Sequence, residues 1–573
     1  MGNALPGSGR AGAPVKVWRH HVVLCLFFAG CTALAARVVY LALLDKDFLQ
    51  DQGDARSVRE VVIPSRRGVI YDRLDEPLAI STPVVAVWSD PSKRKLSRAD
   101  INRLAPLLGR DAEQLADHLD RHADRAFVYL KRRLSWTAAE RVRALGIEGL
   151  RFSEEYRRYY PGGETAAHVV GVTNIDDRGL EGIELAFDEQ LSGDHGRKVV
   201  LKDRLGATIR DLEYIAAPRL GQDIALSIDL RLQYFAYREL KDAVAGHRAA
   251  SGSIVILDAR TGEILALVNS PSYNPNESLE LGFAGMRNRA VTDAYEPGST
   301  IKPFAVLAAL ETGGYQPDTV VNTAPGYWAV RRKLIEDPVN YGNLTLAGIV
   351  RKSSQVGISK VALALPERAV FEVLQRAGVG DFVGSGLPGE AIGVFDDSGL
   401  RSAVVRATLA YGYGLSVSPL QLAQAYLPIA NDGVRLPLSV IKLGQPPQGE
   451  RVFAAAMTRQ LLSMMEGVTE RTGTAPGAQV PGYRVAGKTG TARVVGSEGY
   501  TDQRHVALFA GVAPLTDPQI VMVVVINQPS GPKISGGAVA APIFARVAER
   551  ALRLLGIAPD AQHLIAAAEG RRS

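Results

Sequence analysis

A serine and a lysine three positions apart are the first residues of this chain whose types and spacing suit chemistry. Ser299 and Lys302 lie in the stretch AYEPGSTIKPF, directly after Pro297 and Gly298. The residues that follow have helical period, which predicts that Ser299 stands at or near a helix N-terminus. Residues i and i+3 share one helix face, so the Lys302 amine can reach the Ser299 hydroxyl. The pattern predicts a serine nucleophile with a lysine as its base.

The spacing alone is not specific, because the chain has three other Ser-x-x-Lys pairs, Ser92/Lys95, Ser439/Lys442 and Ser530/Lys533. None of them follows a turn that leads into a helical pattern. A helix N-terminus also supplies partial positive charge where an oxyanion would form. The context therefore favours the pair that includes Ser299.

A second lysine in the sequence could lower the pKa of Lys302. A lysine acts as a base only when its amine is neutral, which burial or a nearby cation can achieve. Lys488 opens the sequence Lys-Thr-Gly-Thr, which occurs on a predicted strand near the C-terminus. Gly490 would let a substrate backbone lie close against that strand.

A third element follows Ser299 by about fifty residues. In RKSSQVGISK, Ser353 and Gln355 can present a hydroxyl and an amide together. An SxxK pair, an SxN-type motif and a Lys-Thr-Gly triplet, in this order, are the signature of serine β-lactamases and penicillin-binding proteins.

The N-terminal part of the chain carries an apolar run, residues 22–44, interrupted by a single charge at Arg37. As a helix it would be about 34 Å long, enough to cross a bilayer. Arg10, Lys16 and Arg19 precede it without an acidic residue among them. The positive-inside rule then places residues 1–21 in the cytoplasm and everything after the span outside.

Two processing alternatives remain open for this segment. Ala33-Leu34-Ala35 is similar to a signal-peptidase site, and Phe28 to Cys31 is similar to a bacterial lipobox, which would lipidate Cys31. The apolar run continues beyond both, which favours an uncleaved anchor.

The rest of the chain divides into two predicted domains and a tail. Residues 45–220 alternate short strands and helices, with a stretch of helical period from Leu96 to Leu145. Residues 221–558 contain a predicted hairpin at 252–271, three predicted strands from Arg484 onwards and a final helix. Together these elements predict an antiparallel sheet covered by helices. Residues 559–573 form the tail.

Composition excludes several classes of function. The net charge of +6 comes from bases spread among acids, and no zinc-finger or RNP-type pattern occurs, so we expect no nucleic-acid partner. The nine histidines form no metal-ligand spacing, and the two cysteines, Cys25 and Cys31, lie in the apolar run. We expect no metal, no cofactor and no disulfide framework.

These motifs, with RNRAVTDAYEPGSTIKPF, ATLAYGYGLSVSPLQLAQAY and GGAVAAPIF, resemble those of a class B penicillin-binding protein of the septal type. The resemblance covers nearly all of residues 22–560. It implies one transmembrane helix, a non-catalytic α+β pedestal and a transpeptidase domain of the serine β-lactamase fold. It also implies localisation in the bacterial inner membrane with the catalytic domain in the periplasm.

The resemblance implies a role for each motif residue. Ser299 would be the acyl-accepting nucleophile, Lys302 its base, Ser353 a proton relay to the leaving amine, and Lys488 a grip on the substrate carboxylate. The other residues implied to bind substrate are Gln355, Thr489, Gly490, Thr491, Tyr411 and Tyr413; the two tyrosines are equally well explained as core residues.

Gln355 departs from the family, whose members usually have Asn there. The amide is kept but lies one methylene further out, so we expect altered recognition of the substrate or of the β-lactam side chain.

The resemblance implies D-Ala-D-Ala stem peptides as donor, β-lactams as inhibitors, and a polytopic glycan-polymerising protein with other divisome proteins as partners. The alternatives are an elongation-type or backup transpeptidase, a non-catalytic divisome scaffold, a β-lactamase and a β-lactam sensor. The sequence has one predicted span, which disfavours a sensor, and no recognisable base for deacylation, which disfavours a β-lactamase.

Overall fold

The computed structural model describes residues 17–46, 57–202, 208–277, 285–496 and 499–561. The chain forms two compact units, Met1–Pro64 with His195–Arg219, and Ser65–Asp194 with Leu220–Ser573. Arg10, Lys16 and most of the predicted tail after residue 558 lie outside the described residues.

Helices and strands are numbered along the described chain. The α-helices are α1 (Val17–Val39), α2 (Arg98–Leu108), α3 (Ala112–Arg121), α4 (Trp136–Arg143), α5 (Ala167–Val170), α6 (Gly182–Ala186), α7 (Asp188–Ser192), α8 (Leu230–Gly246), α9 (Arg289–Thr292), α10 (Lys302–Glu311), α11 (Leu346–Lys352), α12 (Gln355–Ala364), α13 (Ala369–Arg376), α14 (Ala403–Leu409), α15 (Pro419–Ala430), α16 (Ala455–Thr469) and α17 (Gly536–Leu554). The strands are β1 (Val58–Ile63), β2 (Ile70–Tyr71), β3 (Pro77–Ser89), β4 (Val128–Leu134), β5 (Leu150–Tyr159), β6 (Val172–Thr173), β7 (Gly179–Glu181), β8 (Gly196–Lys202), β9 (Thr208–Ala216), β10 (Ile224–Ala225), β11 (Ser251–Asp258), β12 (Ile264–Ser270), β13 (Val320–Asn322), β14 (Tyr327–Val330), β15 (Lys333–Glu336), β16 (Asn343–Thr345), β17 (Val434–Arg435), β18 (Glu450–Arg451), β19 (Ala486–Gly496), β20 (Gly499–Ala513) and β21 (Ile520–Asn527).

The first unit contains the apolar helix and a small sheet. Helix α1 begins at Val17, earlier than the predicted start at Val22, and a π-helical turn, Tyr40–Leu44, continues it. None of its residues is buried by protein, and the Val17–Leu43 segment is long and apolar enough to span a membrane. Thr32 donates its hydroxyl hydrogen to the Phe28 carbonyl at 2.8 Å, so this polar group is satisfied within the helix. Strands β1, β8 and β9 form an antiparallel sheet in that order.

In the second unit, the long strand β3 organises the pedestal. It pairs with β2, β4 and β5, all antiparallel, and β10 adds to β2 in parallel. Helices α2 and α3 begin at side-chain caps, Ser97 and Asp111, which accept hydrogen bonds from the first free backbone N–H groups. Their apolar faces form a separate core with β3, β4 and β5.

The prediction of helical structure throughout Leu96–Leu145 is wrong for one segment. Residues Val128–Leu134 form strand β4, which pairs with β3. Val128 and Leu130 are buried and Tyr129 between them is exposed, so this segment has the two-residue period of a strand.

Two Gly-rich charged stretches, RRGVIYDR and GLEGIE, meet in the pedestal core. The carboxylate of Glu184 is fully buried and accepts hydrogen bonds from Arg67 Nε and Arg158 Nε, each at 2.6 Å. Arg67 also donates to Asp188 at 2.6 Å. Because unpaired buried charges are costly, this network ties β5, α6 and α7 to the start of the pedestal.

The transpeptidase part is built on a five-stranded antiparallel sheet in the order β12-β11-β21-β20-β19. The predicted hairpin is β11–β12, and the three predicted C-terminal strands are β19, β20 and β21. Every residue of β12 is buried, and successive side chains point to opposite faces, so protein covers both faces of the sheet. Helices α8 and α17 pack against each other and on the sheet, and α15 packs on β11, β20 and β21.

Candidate active site

Ser299 stands on a tight turn that is held from several sides. It lies in the 3-10 turn Gly298–Ile301, which leads directly into α10, as the sequence predicts. A Cβ atom at Gly412 would lie 2.0 Å from the Gly298 carbonyl oxygen, so only glycine permits this approach. The hydroxyl of the fully buried Tyr426 donates to the Thr300 carbonyl at 2.6 Å. The half-buried Ser299 hydroxyl has no hydrogen-bond partner among the residues that the structure describes.

Lys302 is the first residue of α10 and is fully buried. Its amine donates to the Ser353 carbonyl and lies 3.1 Å from Ser353 Oγ. Burial lowers the pKa of Lys302 to about 7, although the Asp337 carboxylate acts in the opposite direction. A substantial fraction of this lysine is therefore neutral at neutral pH, which a general base requires.

Ser353 occupies a strained backbone position between two helices. It ends α11 with φ of 57°, in the left-handed region that non-glycine residues rarely adopt. The next residue, Ser354, caps α12, because its Oγ accepts the Gly357 N–H at 2.8 Å. This kink aims the Ser353 hydroxyl at both lysines.

Lys488 reaches the same hydroxyl from the sheet. It lies on β19, is fully buried, and its Nζ is 2.8 Å from Ser353 Oγ. Burial and the nearby Lys302 hold the pKa of Lys488 well below the usual range for lysine. Lys302, Ser353 and Lys488 are thus brought to one place, next to the turn that carries Ser299, although their motifs lie far apart in sequence.

Strand β19 is the edge of the sheet, and its Gly490 faces the Ser299 turn. A Cβ atom at Gly490 would lie 2.7 Å from the Pro297 carbonyl oxygen and 2.9 Å from Thr300 Cγ2. An edge strand offers unpaired backbone groups to an extended peptide. The glycine therefore sets the separation between the nucleophile turn and a strand-like binding edge.

Both threonines of the Lys-Thr-Gly-Thr sequence have hydroxyl partners. Thr489 Oγ1 lies 2.9 Å from Thr474 Oγ1, and Thr491 Oγ1 accepts the Gly536 N–H at 3.0 Å. Gly536 is the first residue of α17, so a helix N-terminus lies beside the strand.

Gln355 and the two tyrosines complete the predicted set. Gln355 is half-buried at the start of α12, and its side-chain amide has no hydrogen-bond partner within the described part of the chain. Tyr411 and Tyr413 flank Gly412, with ring centroids 5.5 Å apart in an edge arrangement. Tyr411 is buried, which raises its pKa to about 12, whereas Tyr413 is half-buried. Tyr411 thus fits core packing, and Tyr413 remains a candidate wall of the site.

Motif reasoning missed two residues, Asp337 and Thr474. The Asp337 carboxylate accepts hydrogen bonds from the Ser354 hydroxyl and the Gln355 N–H, each at 2.5 Å. Asp337 follows hairpin β14–β15 and precedes a proline, which in sequence indicates only a turn. Thr474 lies in a loop whose composition, Thr-Gly-Thr-Ala-Pro, is equally unspecific.

Comparison with family models matches most of the chain. Residues 252–549 match the penicillin-binding protein transpeptidase domain, and residues 62–226 match the penicillin-binding protein dimerisation domain.

Curated relatives are similar over almost the whole length. The chain is 42% identical to the peptidoglycan D,D-transpeptidase FtsI of Escherichia coli, over 95% of this chain and 93% of that protein. It is 41% identical to the probable peptidoglycan D,D-transpeptidase PbpC of Pseudomonas aeruginosa, over 95% of this chain and 96% of that protein.

Solved structures agree in fold. Penicillin-binding protein 3 of Mycobacterium tuberculosis in complex with aztreonam is 27% identical with a TM-score of 0.68, covering 87% of this chain and 98% of that one. The transpeptidase domain of Burkholderia pseudomallei penicillin-binding protein 3 is 38% identical with a TM-score of 0.54. The match covers 58% of this chain and 97% of that one. The chain belongs to the class B penicillin-binding proteins, in the septal branch of peptidoglycan D,D-transpeptidases.

Proposed function

We propose that this chain crosslinks peptidoglycan at the division septum through an acyl-enzyme on Ser299. The observation that carries the proposal is the meeting of two buried lysine amines at the Ser353 hydroxyl, beside the turn that presents Ser299. The reaction class, acyl transfer by a serine D,D-transpeptidase, is that of the family.

In the first half-reaction, the Ser299 hydroxyl attacks the carbonyl carbon of the penultimate D-Ala of a stem peptide. The neutral Lys302 amine accepts the hydroxyl proton, and a tetrahedral oxyanion forms. The Ser299 and Thr491 N–H groups are the proposed oxyanion donors, in a role worth about 3–4 kcal/mol per donor in a comparable site. The C–N bond then breaks, and Ser353 donates its proton to the departing D-Ala amine and takes up the proton held by Lys302, which leaves Lys302 neutral again.

In the second half-reaction, an amine of a neighbouring stem attacks the ester carbonyl. The amine's proton passes through Lys302 to the Ser299 oxygen, the ester bond breaks, and the crosslinked peptide is released. Thr489, Thr491 and Lys488 would bind the terminal carboxylate of the donor, and the edge of β19 would pair with its backbone. Gln355 and Tyr413 would contact the rest of the donor. A β-lactam would acylate Ser299 and be released slowly.

The domain division and topology follow the same interpretation. We propose a cytoplasmic tail 1–21, an anchor 22–44, a pedestal 45–220, a transpeptidase domain 221–558 and a tail 559–573. The dimerisation-domain match ends at residue 226 and the transpeptidase-domain match begins at residue 252, so the proposed boundary at 220/221 lies just inside the end of the first match. The anchor helix and the family support a cytoplasmic N-terminus and a periplasmic catalytic domain. The family also supports a polytopic glycan-polymerising protein and other divisome proteins as partners.

The decisive experiment is acylation of the purified protein by a labelled penicillin, followed by peptide mass mapping. We expect a stable adduct on Ser299 that Ser299→Ala abolishes. The matched control is Ser92→Ala, because Ser92 and Lys95 have the same spacing outside the site. A wild-type protein without an adduct would support the scaffold alternative, and rapid turnover of the penicillin would support a β-lactamase.

A further inference from the structure

We propose that Thr474 is a positioning residue for donor recognition: it donates a hydrogen bond to Thr489 Oγ1 and so directs the Thr489 hydroxyl proton towards the substrate carboxylate. The two hydroxyl oxygens lie 2.9 Å apart. The inference rests on the proposed function, in which Thr489 binds the terminal carboxylate of the donor.

The loop that carries Thr474, residues 470–475, is fixed to two of the elements that form the site. The Lys352 amine donates to the Thr472 carbonyl at 2.8 Å, and Arg351 pairs with Glu470. Arg351 and Lys352 directly precede Ser353, so the loop is attached to the serine motif.

The same loop also packs against the start of α17. A Cβ atom at Gly537 would lie 2.1 Å from the Thr474 carbonyl oxygen, which leaves no space for a side chain there. Together with the Thr489 contact, these attachments fix the position of Thr474 beside the strand. A hydroxyl on so restrained a backbone can orient its partner with little loss of entropy.

The number of hydroxyl protons decides which of the two threonines donates the hydrogen bond when the carboxylate is bound. A carboxylate only accepts hydrogen bonds, whereas each threonine hydroxyl has one proton to donate. If Thr489 donates to Thr474, it has no proton left for the substrate. If Thr474 donates to Thr489, the Thr489 proton is free for the carboxylate.

This arrangement predicts that Thr474 affects the acylation rate only when the ligand carries the carboxylate. The test compares acylation of the full-length protein by a penicillin and by its methyl ester, which keeps the β-lactam and lacks the anion. We expect Thr474→Val to slow acylation by the acid roughly 2- to 10-fold, the range for the one neutral hydrogen bond that orients the Thr489 hydroxyl. Acylation by the ester should change little.

The ratio of the acid and ester rates is taken within each variant, so a partly unfolded preparation does not affect it. Thr474→Ser keeps the hydroxyl and should retain the wild-type ratio. The matched control is Thr137→Val, which removes another hydroxyl pair, with Ser135 at 3.1 Å, in the pedestal. It should leave both rates unchanged.

A double variant shows whether Thr474 acts through Thr489. We expect Thr489→Val to lower the acid rate, and the addition of Thr474→Val to lower it no further, because the two residues form one unit. Additive effects would overturn the inference, as would equal slowing of acid and ester or no slowing of either. A wild-type protein that fails to be acylated on Ser299 would instead refute the proposed function.

Discussion

Lys302 and Lys488 bring their amines to one hydroxyl from different elements: Ser353 Oγ lies 3.1 Å from the first and 2.8 Å from the second. Both side chains are fully buried, so two positive charges here would repel each other with little screening. The pair therefore favours a state with at least one neutral amine.

The first prediction concerns pH. The pKa of Lys302 is lowered to about 7, and only the neutral amine accepts a proton from Ser299. The rate of acylation by penicillin should therefore be low in acid, rise as the pH passes about 7, and level off above. Second-order rate constants measured from about pH 5 to about pH 9 test this. A rate that stays low up to about pH 9, as for a lysine with the ordinary pKa of 10.5, would contradict it.

The second prediction concerns Asp337, whose negative charge raises the pKa of Lys302. Asp337→Asn removes that charge and keeps an acceptor oxygen for the Ser354 hydroxyl or the Gln355 N–H. The midpoint of the pH–rate profile should therefore move to lower pH. The control is Glu336→Gln, the exposed neighbouring residue at the end of β15, which should leave the midpoint in place. A midpoint that moves upward in Asp337→Asn would refute the electrostatic argument.

The sequence predicted the motif residues and the sheet that carries Lys488 because strand and helix periods and turn residues are local signals. Asp337 and Thr474 were not predictable, since each acts on a motif through tertiary contacts rather than through spacing. Strand β4 was mistaken for helix because its charged residues mask a short alternating pattern. The position of Tyr411 could not be settled either, because an aromatic residue beside glycine suits both a core and a site wall.

The third prediction tests the unusual Gln355, whose side-chain amide is without a partner among the described residues. Gln355→Asn draws the amide back by one methylene, to the position usual in the family. We expect acylation by penicillins that carry an acylamino side chain to become roughly 2- to 10-fold faster, the range for one hydrogen bond. A β-lactam without that side chain should react at an unchanged rate. If the wild type and Gln355→Asn react at the same rate with each of the two compounds, the extra methylene does not affect recognition of the β-lactam side chain.

The fourth prediction concerns the approach of β19 to the nucleophile turn. Gly490→Ala places a methyl group 2.7 Å from the Pro297 carbonyl oxygen, closer than real Cβ contacts allow. The strand must move away from Ser299, at a cost of about 1–3 kcal/mol in stability. Acylation should fall by more than the loss of folded protein explains. Gly444→Ala is the control, because a Cβ atom there meets nothing within 4 Å. Unchanged acylation in Gly490→Ala would show that this spacing is not critical.

The last prediction concerns the pedestal and not the chemistry. Glu184 is the only carboxylate within hydrogen-bonding distance of both Arg67 and Arg158 among the described residues, and all three side chains are at most 1% exposed. Glu184→Gln leaves these guanidinium groups buried beside a neutral amide, a change that typically costs about 3–5 kcal/mol. We expect a clearly lower midpoint of thermal unfolding, measured by circular dichroism. Glu181→Gln, from the same GLEGIE stretch, is the control, since its half-buried carboxylate has no hydrogen-bond partner within the described chain; it should stay within about 0.5 kcal/mol of the wild type. If both variants unfold at the wild-type temperature, the buried network does not stabilise the pedestal.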